Sequence, residues 1–262
     1  GAAAATLIAQ CSSALFCLLR LRKIQVLTLG RQEIVFERKL SGRLLALGSS
    51  MAFQYMMIAV GGMVVQFVVN DCGVLFIAGI TATNKLYGVL EIAATSFGFA
   101  MTTYVGQNLG AGRFDRIHSG QRAGYTMAVL TSLVIAALMV LLGKTILGCF
   151  ISGTAEEVAQ TMRISFHYLM LMSAFLPVLY ILYVSKSSLQ GIGNTGIPLI
   201  SGVMELGMRI GTVLLLPRLM GNEGIYYAEV SAWVGAVAIL VPGWFICVKK
   251  LEKRYKSVDN CK

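Results

Sequence analysis

The amino-acid sequence predicts an all-α integral membrane protein of about seven transmembrane helices, and three observations carry that prediction. Residues 45–69, 74–106, 123–150, 164–190, 197–219 and 225–248 form apolar stretches, each long enough for the roughly 20 residues that one crossing needs. The chain is 56% hydrophobic and only 13% charged, with a mean hydropathy of +0.74, which is more apolar surface than one soluble core buries. It lacks the alternating segments of about ten residues that build a membrane barrel. Lipid offers no hydrogen bonds to a backbone, so stretches of this kind must be helices.

The elements follow in order. Gly1 to Leu19 (GAAAATLIAQCSSALFCLL) is apolar, and its basic cluster comes after it. A signal peptide has the reverse order. Residues 1–19 are therefore expected to be a transmembrane helix trimmed at its start, the last of a preceding lobe, and the chain is expected to be the later part of something longer. Residues 20–43 form a long charged linker containing Gly30 and Gly42. Within it Gln32–Leu40 (QEIVFERKL) could lie on the inner membrane face as an amphipathic helix. Residues 44–250 hold six helices with short connections, and 251–262 is a basic tail. An even number of crossings returns the chain to its starting side, so a duplicated six-helix lobe would keep the same orientation.

The net charge of +10 first suggests a nucleic-acid partner, but the placement of the charge argues otherwise. Of 22 basic residues, 17 fall on one side: the 20–43 loop, Arg113, Arg116, Arg122, Lys186 and the tail. The opposite loops hold only Lys144, Arg163 and Arg218, while Lys85 and Arg209 fall within helices. This is the positive-inside pattern. It puts the 20–43 loop, the 107–122 loop, the 191–196 turn and the C-terminus in the cytoplasm. Nucleic-acid binding would need interleaved aromatics, and the 20–43 segment has only Phe36. Cysteines show neither a CxxC nor a metal spacing, and His118 and His167 stand alone. No metal, cofactor or catalytic residue is expected. An enzyme would need His, Asp or Cys clustered in a loop or near an interface, and the loops offer none.

The polar residues inside the apolar stretches are the candidates for function. A carboxylate at bilayer depth costs about 2.5–3.5 kcal/mol, so Glu91 should face protein or water. It either binds a cation or a proton in a cavity or pairs with Lys85, although six residues place the two on opposite sides of the helix. Asn84, Tyr87 and Glu91 share a face at i, i+3 and i+7. Glu205 and Arg209 stand at i, i+4 with the acid first and are expected to form a structural ion pair. Gln54 is the polar residue of a helix that has no acid between Arg43 and Asp71; it can coordinate but not titrate. Tyr180, Tyr183 and Gln190 form a polar stripe beside Pro177, which interrupts the backbone ladder. The tyrosines line a cavity or anchor the helix at a membrane boundary.

Four segments carry a resemblance. Tyr104–Arg116 (YVGQNLGAGRFDR) resembles the signature of the multidrug and toxic compound extrusion (MATE) transporters. Gln66–Ala82 (QFVVNDCGVLFIAGITA) is similar to that family's outer turn between helices seven and eight. Leu189–Arg209 (LQGIGNTGIPLISGVMELGMR) is similar to its tenth-to-eleventh helix junction, and residues 1–19 resemble its sixth helix. The resemblance covers nearly the whole chain. It implies the C-terminal six-helix lobe of a two-lobed transporter that works with an N-terminal lobe absent from this sequence. It also implies a multi-pass plasma-membrane exporter of small organic compounds, cationic ones among them, by alternating access in exchange for Na⁺ or H⁺. Gln54 departs from the pattern, since many members carry an acid in that helix. A flippase for lipid-linked saccharides, of a related fold, would instead line its cavity with several cations, and only Lys85 and Arg209 are candidates. An inert lobe or scaffold is the third alternative.

Overall fold

A computed structural model describes residues 2–23 and 37–259. Most of the linker, with Arg31 and the greater part of the expected amphipathic segment at 32–40, lies outside the described residues. The chain forms two compact units, Gly1–Leu45 and Ala46–Lys262. The first holds α1 (Ala2–Leu21) and the beginning of α2 (Arg38–Asn70). The second holds the rest of α2, then α3 (Val74–Gly110), α4 (Phe114–Gly148), α5 (Ala155–Ala174), α6 (Leu176–Gly191), α7 (Gly196–Met220), a short 3₁₀ turn (Gly221–Tyr226) and α8 (Tyr227–Asp259).

Among the described residues there are eight α-helices, and four apolar stretches are long enough to cross a membrane. α5 and α6 meet at a 50° bend, the geometry of a broken span or of a re-entrant loop, and add a fifth crossing when the pair is one span. Phe175 sits at the break, and Pro177 in the first turn of α6 has no N–H to continue the ladder. The 58-residue apolar stretch Gly196–Lys253 divides at Gly221 into α7 and α8. At 37 residues α3 is about 55 Å long at 1.5 Å per residue, so its ends emerge from the hydrocarbon. Asn84, Lys85 and Glu91 fall near its middle.

Local chemistry sets the turns. α3 ends at Gly110, and Gly112 takes φ 68°, a left-handed position that suits glycine. The Arg113 amide then reaches back to the Asn108 carbonyl at 2.9 Å, closing the helix end. The segment around Gly110 and Gly112 is therefore a tight helix–helix corner. α5 opens on a capping box: Thr154 and Glu157 satisfy each other's backbone amides. Between α6 and α7, Asn194 accepts from the Ile197 amide at 3.2 Å and donates to Cys247 Sγ at 3.1 Å. That tethers the turn to α8.

α3 packs on α4, α5 and α6, and α8 packs on α6 and α7. Lipid is as apolar as leucine, so close packing and interhelical hydrogen bonds hold such helices together. Thr83 donates to the Ser165 carbonyl and Ser165 to the Gly79 carbonyl, each at 3.0 Å, joining α3 to α5. Ser188 donates to Gln121 at 2.6 Å, joining α6 to α4. Leu141, Leu219 and Phe99 stay largely exposed, as lipid-facing side chains do.

A charged cavity as the candidate functional site

A cavity of about 270 Å³ opens inside the second unit. α3 contributes Asn84, Tyr87 and Glu91 to its wall, the same face that the i, i+3, i+7 spacing predicts. α6 adds Tyr183 and Lys186, α7 adds Glu205 and Arg209, and α8 adds Glu229 and Trp233. Three carboxylates thus stand against two cations in one wall, a formal excess of one negative charge. In the aromatic part of the wall Tyr87 stacks on Trp233 with centroids 5.7 Å apart.

Arg209 is the most constrained charge. Its Nη2 donates to Glu229 at 2.6 Å, and its Nη1 donates to the Ile58 carbonyl of α2 at 3.1 Å. Gly61 makes this possible: a Cβ there would stand 3.1 Å from both Cδ and Nη1 of Arg209. The expected pairing of Glu205 with Arg209 is therefore corrected; the guanidinium spans to α8 instead. The i, i+4 rule describes neighbours on one helix surface. A buried guanidinium follows the partners that give it the most hydrogen bonds, and here those lie on two other helices. Glu205 is only 4% exposed, and its Oε1 has no hydrogen-bond partner.

Glu91 is half-buried and accepts a hydrogen bond from the Tyr183 hydroxyl. Lys186 is 4% exposed, with its ammonium 5.0 Å from the Tyr55 ring centroid and 5.9 Å from that of Tyr183. The charge pattern assigns Lys186 to the cytoplasmic set, and the structure moves it into the cavity.

Other candidates fall elsewhere. Lys85 is exposed and outside the cavity wall; one residue from Asn84, it is turned about 100° from the shared face. Gln54 is 1% exposed and donates to the Pro198 carbonyl at 2.7 Å, joining α2 to α7. Tyr180 is fully buried, with its hydroxyl on the Leu90 carbonyl at 3.2 Å. Only Tyr183 of the two tyrosines faces the cavity. Sequence reasoning missed Lys186 and Glu229 as cavity residues. Lys186 stands three residues after Tyr183 inside an apolar stretch, and Glu229 opens the last helix; both were visible as charges next to apolar runs.

The sequence pattern of the MatE family matches residues 50–215. The probable multidrug resistance protein YoeA of Bacillus subtilis (strain 168) is 26% identical over 156 residues, covering 58% of this chain and 34% of that protein. Among solved structures, a MOP superfamily transporter from Pyrococcus furiosus, described as having a binding pocket of reverse polarity, superposes with a TM-score of 0.86 at 16% identity. That match covers 96% of this chain and 57% of the transporter. An outward-facing multidrug resistance MATE transporter of the same superfamily gives 0.85 at 17% identity, over 97% and 57%. A mutant form of the MATE transporter VcmN from Vibrio cholerae gives 0.83 at 16%, over 95% and 56%. The chain spans about a third of the curated relative and a little over half of the solved transporters.

Proposed function

The chain belongs to the MatE family, and on that premise we propose that it is the C-terminal lobe of a secondary-active exporter of small organic compounds, driven by Na⁺ or H⁺ moving down its gradient. The observation that carries the reading is the cavity in which Glu91, Glu205 and Glu229 outnumber Lys186 and Arg209. Ionisable groups inside a membrane protein mark ion and substrate paths. An excess of carboxylate suits a cationic substrate and a cationic driving ion. Only two cations line the cavity, and Arg209 is already paired with Glu229, which does not favour a saccharide-diphosphate flippase. Alternating access would come from this lobe rocking against a second six-helix lobe around a shared central site.

Glu91 is the coupling carboxylate in this proposal. Glu91→Gln keeps shape and hydrogen bonding while removing the charge. In vesicles carrying the protein joined to its N-terminal lobe, the variant is expected to insert and fold normally yet lose most ion-driven export. The measurement is export rate against pH and against Na⁺. Unchanged rates with unchanged ion dependence would place the coupling site elsewhere.

The proposed orientation puts the α3–α4 and α6–α7 turns and the C-terminus in the cytoplasm of a plasma-membrane protein. It rests on the asymmetry of basic residues, which survives the transfer of Lys186 to the cavity. An impermeant thiol reagent added outside cells should label a single cysteine at position 153 and spare one at position 257; the reverse result would invert the topology. The native Cys72, in the turn between α2 and α3, is a slow background in that assay, because burial and the neighbouring Asp71 carboxylate push its thiol up.

A further inference from the structure

The Arg209–Glu229 pair closes on itself, which leaves Glu91, Glu205 and Lys186 as the charges the cavity has not settled. Lys186 is 4% exposed, yet among the described residues its ammonium makes no ion pair within contact distance. It lies instead over the faces of Tyr55 and Tyr183, where an ammonium is held by the ring quadrupole. The same wall holds Glu205, buried, with Oε1 unpartnered. Glu91 completes the set, with the Tyr183 hydroxyl bridging the phenol ring and the carboxylate. Carboxylate oxygens and a phenol oxygen are the donors a hard monovalent cation takes in exchange for its water, and the tethered ammonium already occupies their neighbourhood.

We propose that Lys186 is a built-in cation that stands in for Na⁺ between Glu91 and Glu205, so that this lobe refuses Na⁺. The inference rests on the reading of this cavity as the ion site, and it narrows which ion can drive it. A free Na⁺ would need a shell of several oxygens within about 270 Å³ already shared with an ammonium, and like charges in a low-dielectric site repel strongly. A proton needs no such shell, because it binds one carboxylate oxygen. Lys186 would thus act by charge and place, and a neutral side chain there would uncover a vacant Na⁺ site.

The test is Na⁺ titration of the purified protein in detergent, with choline holding ionic strength constant, read by tryptophan fluorescence. Trp233 lies in the cavity wall stacked on Tyr87. The unchanged protein is expected to give no saturable Na⁺ response. Lys186→Met is expected to give one, Lys186→Arg to stay silent, and Lys186→Met combined with Glu205→Gln to lose the response again. A saturable response in the unchanged protein overturns the proposal, and so does a folded Lys186→Met that stays silent. If Lys186→Met does not fold, Lys186→Gln takes its place under the same criteria. Loss of the fold in both would make Lys186 a structural counter-ion and also overturn the proposal. The titration involves no transport, so a failed export assay leaves its outcome independent.

Discussion

The two ends of the cavity hold similar charges in different conditions. Toward α8, Arg209 and Glu229 meet at 2.6 Å, and the guanidinium also caps the Ile58 carbonyl of a third helix. Toward α6, Glu205 keeps an unpartnered oxygen, and Lys186 rests on aromatic faces without a contacting acid. A closed pair is poor at capturing an ion, because each charge already has its counter-charge and removing one strands the other. An open set is poor at holding helices together but is free to change its charge state. The difference separates a brace from a site, both in the wall of one small cavity. It also explains why the acid placed next to Arg209 in sequence is not the one that neutralises it.

The largest effect expected from this contrast is at the brace. Arg209→Leu strands Glu229 and uncaps the Ile58 carbonyl, and it should cost about 3–5 kcal/mol of stability, seen as a lower melting temperature in detergent. Arg209→Leu combined with Glu229→Leu should recover much of that loss, since neither charge is then left alone. A double variant no more stable than the single one would show that the arginine acts through packing instead.

A smaller effect is expected at the open end. Sequence spacing alone predicts that Glu205→Gln unpairs Arg209 and destabilises the protein. With the guanidinium engaged by Glu229, that cost should disappear, and Glu205→Gln should move stability by less than about 1 kcal/mol. A melting-temperature loss as large as that of Arg209→Leu would restore Glu205 as the arginine's partner and erase the distinction between the two ends.

Much of the fold was legible because lipid leaves the backbone few choices. The stretch 45–69 lies within α2, 197–219 within α7 and 225–248 mostly within α8. The helices run past those stretches, as when α4 begins at Phe114 rather than 123. Hydropathy reports the part in hydrocarbon, while a helix continues into the headgroup region with polar side chains. The stretch 164–190, taken as one crossing, is two helices meeting at Phe175. Pro177 announced the interruption, but not the 50° bend. Within the cavity wall, the period of one helix suffices to bring Asn84, Tyr87 and Glu91 together. Lys186 counts with the cytoplasmic charges in sequence because a buried ammonium near a helix end looks there like a cytoplasmic anchor.

By itself the sequence determined the membrane class, the order of the long apolar helices, the turn at 191–196, and the polar face of α3. These are properties of single segments, governed by backbone hydrogen bonding, side-chain period and local turn chemistry. Only the tertiary structure decided that Arg209 binds Glu229, that Gln54 and Tyr180 bond to backbone carbonyls of neighbouring helices, and that Lys186 shares a cavity with Glu91 and Glu205. Those outcomes depend on how α2, α3, α6, α7 and α8 are turned toward one another. That rotation is set by which small residues, such as Gly61 against Arg209, let two helices come close. Spacing along one helix carries no information about the helix that will face it.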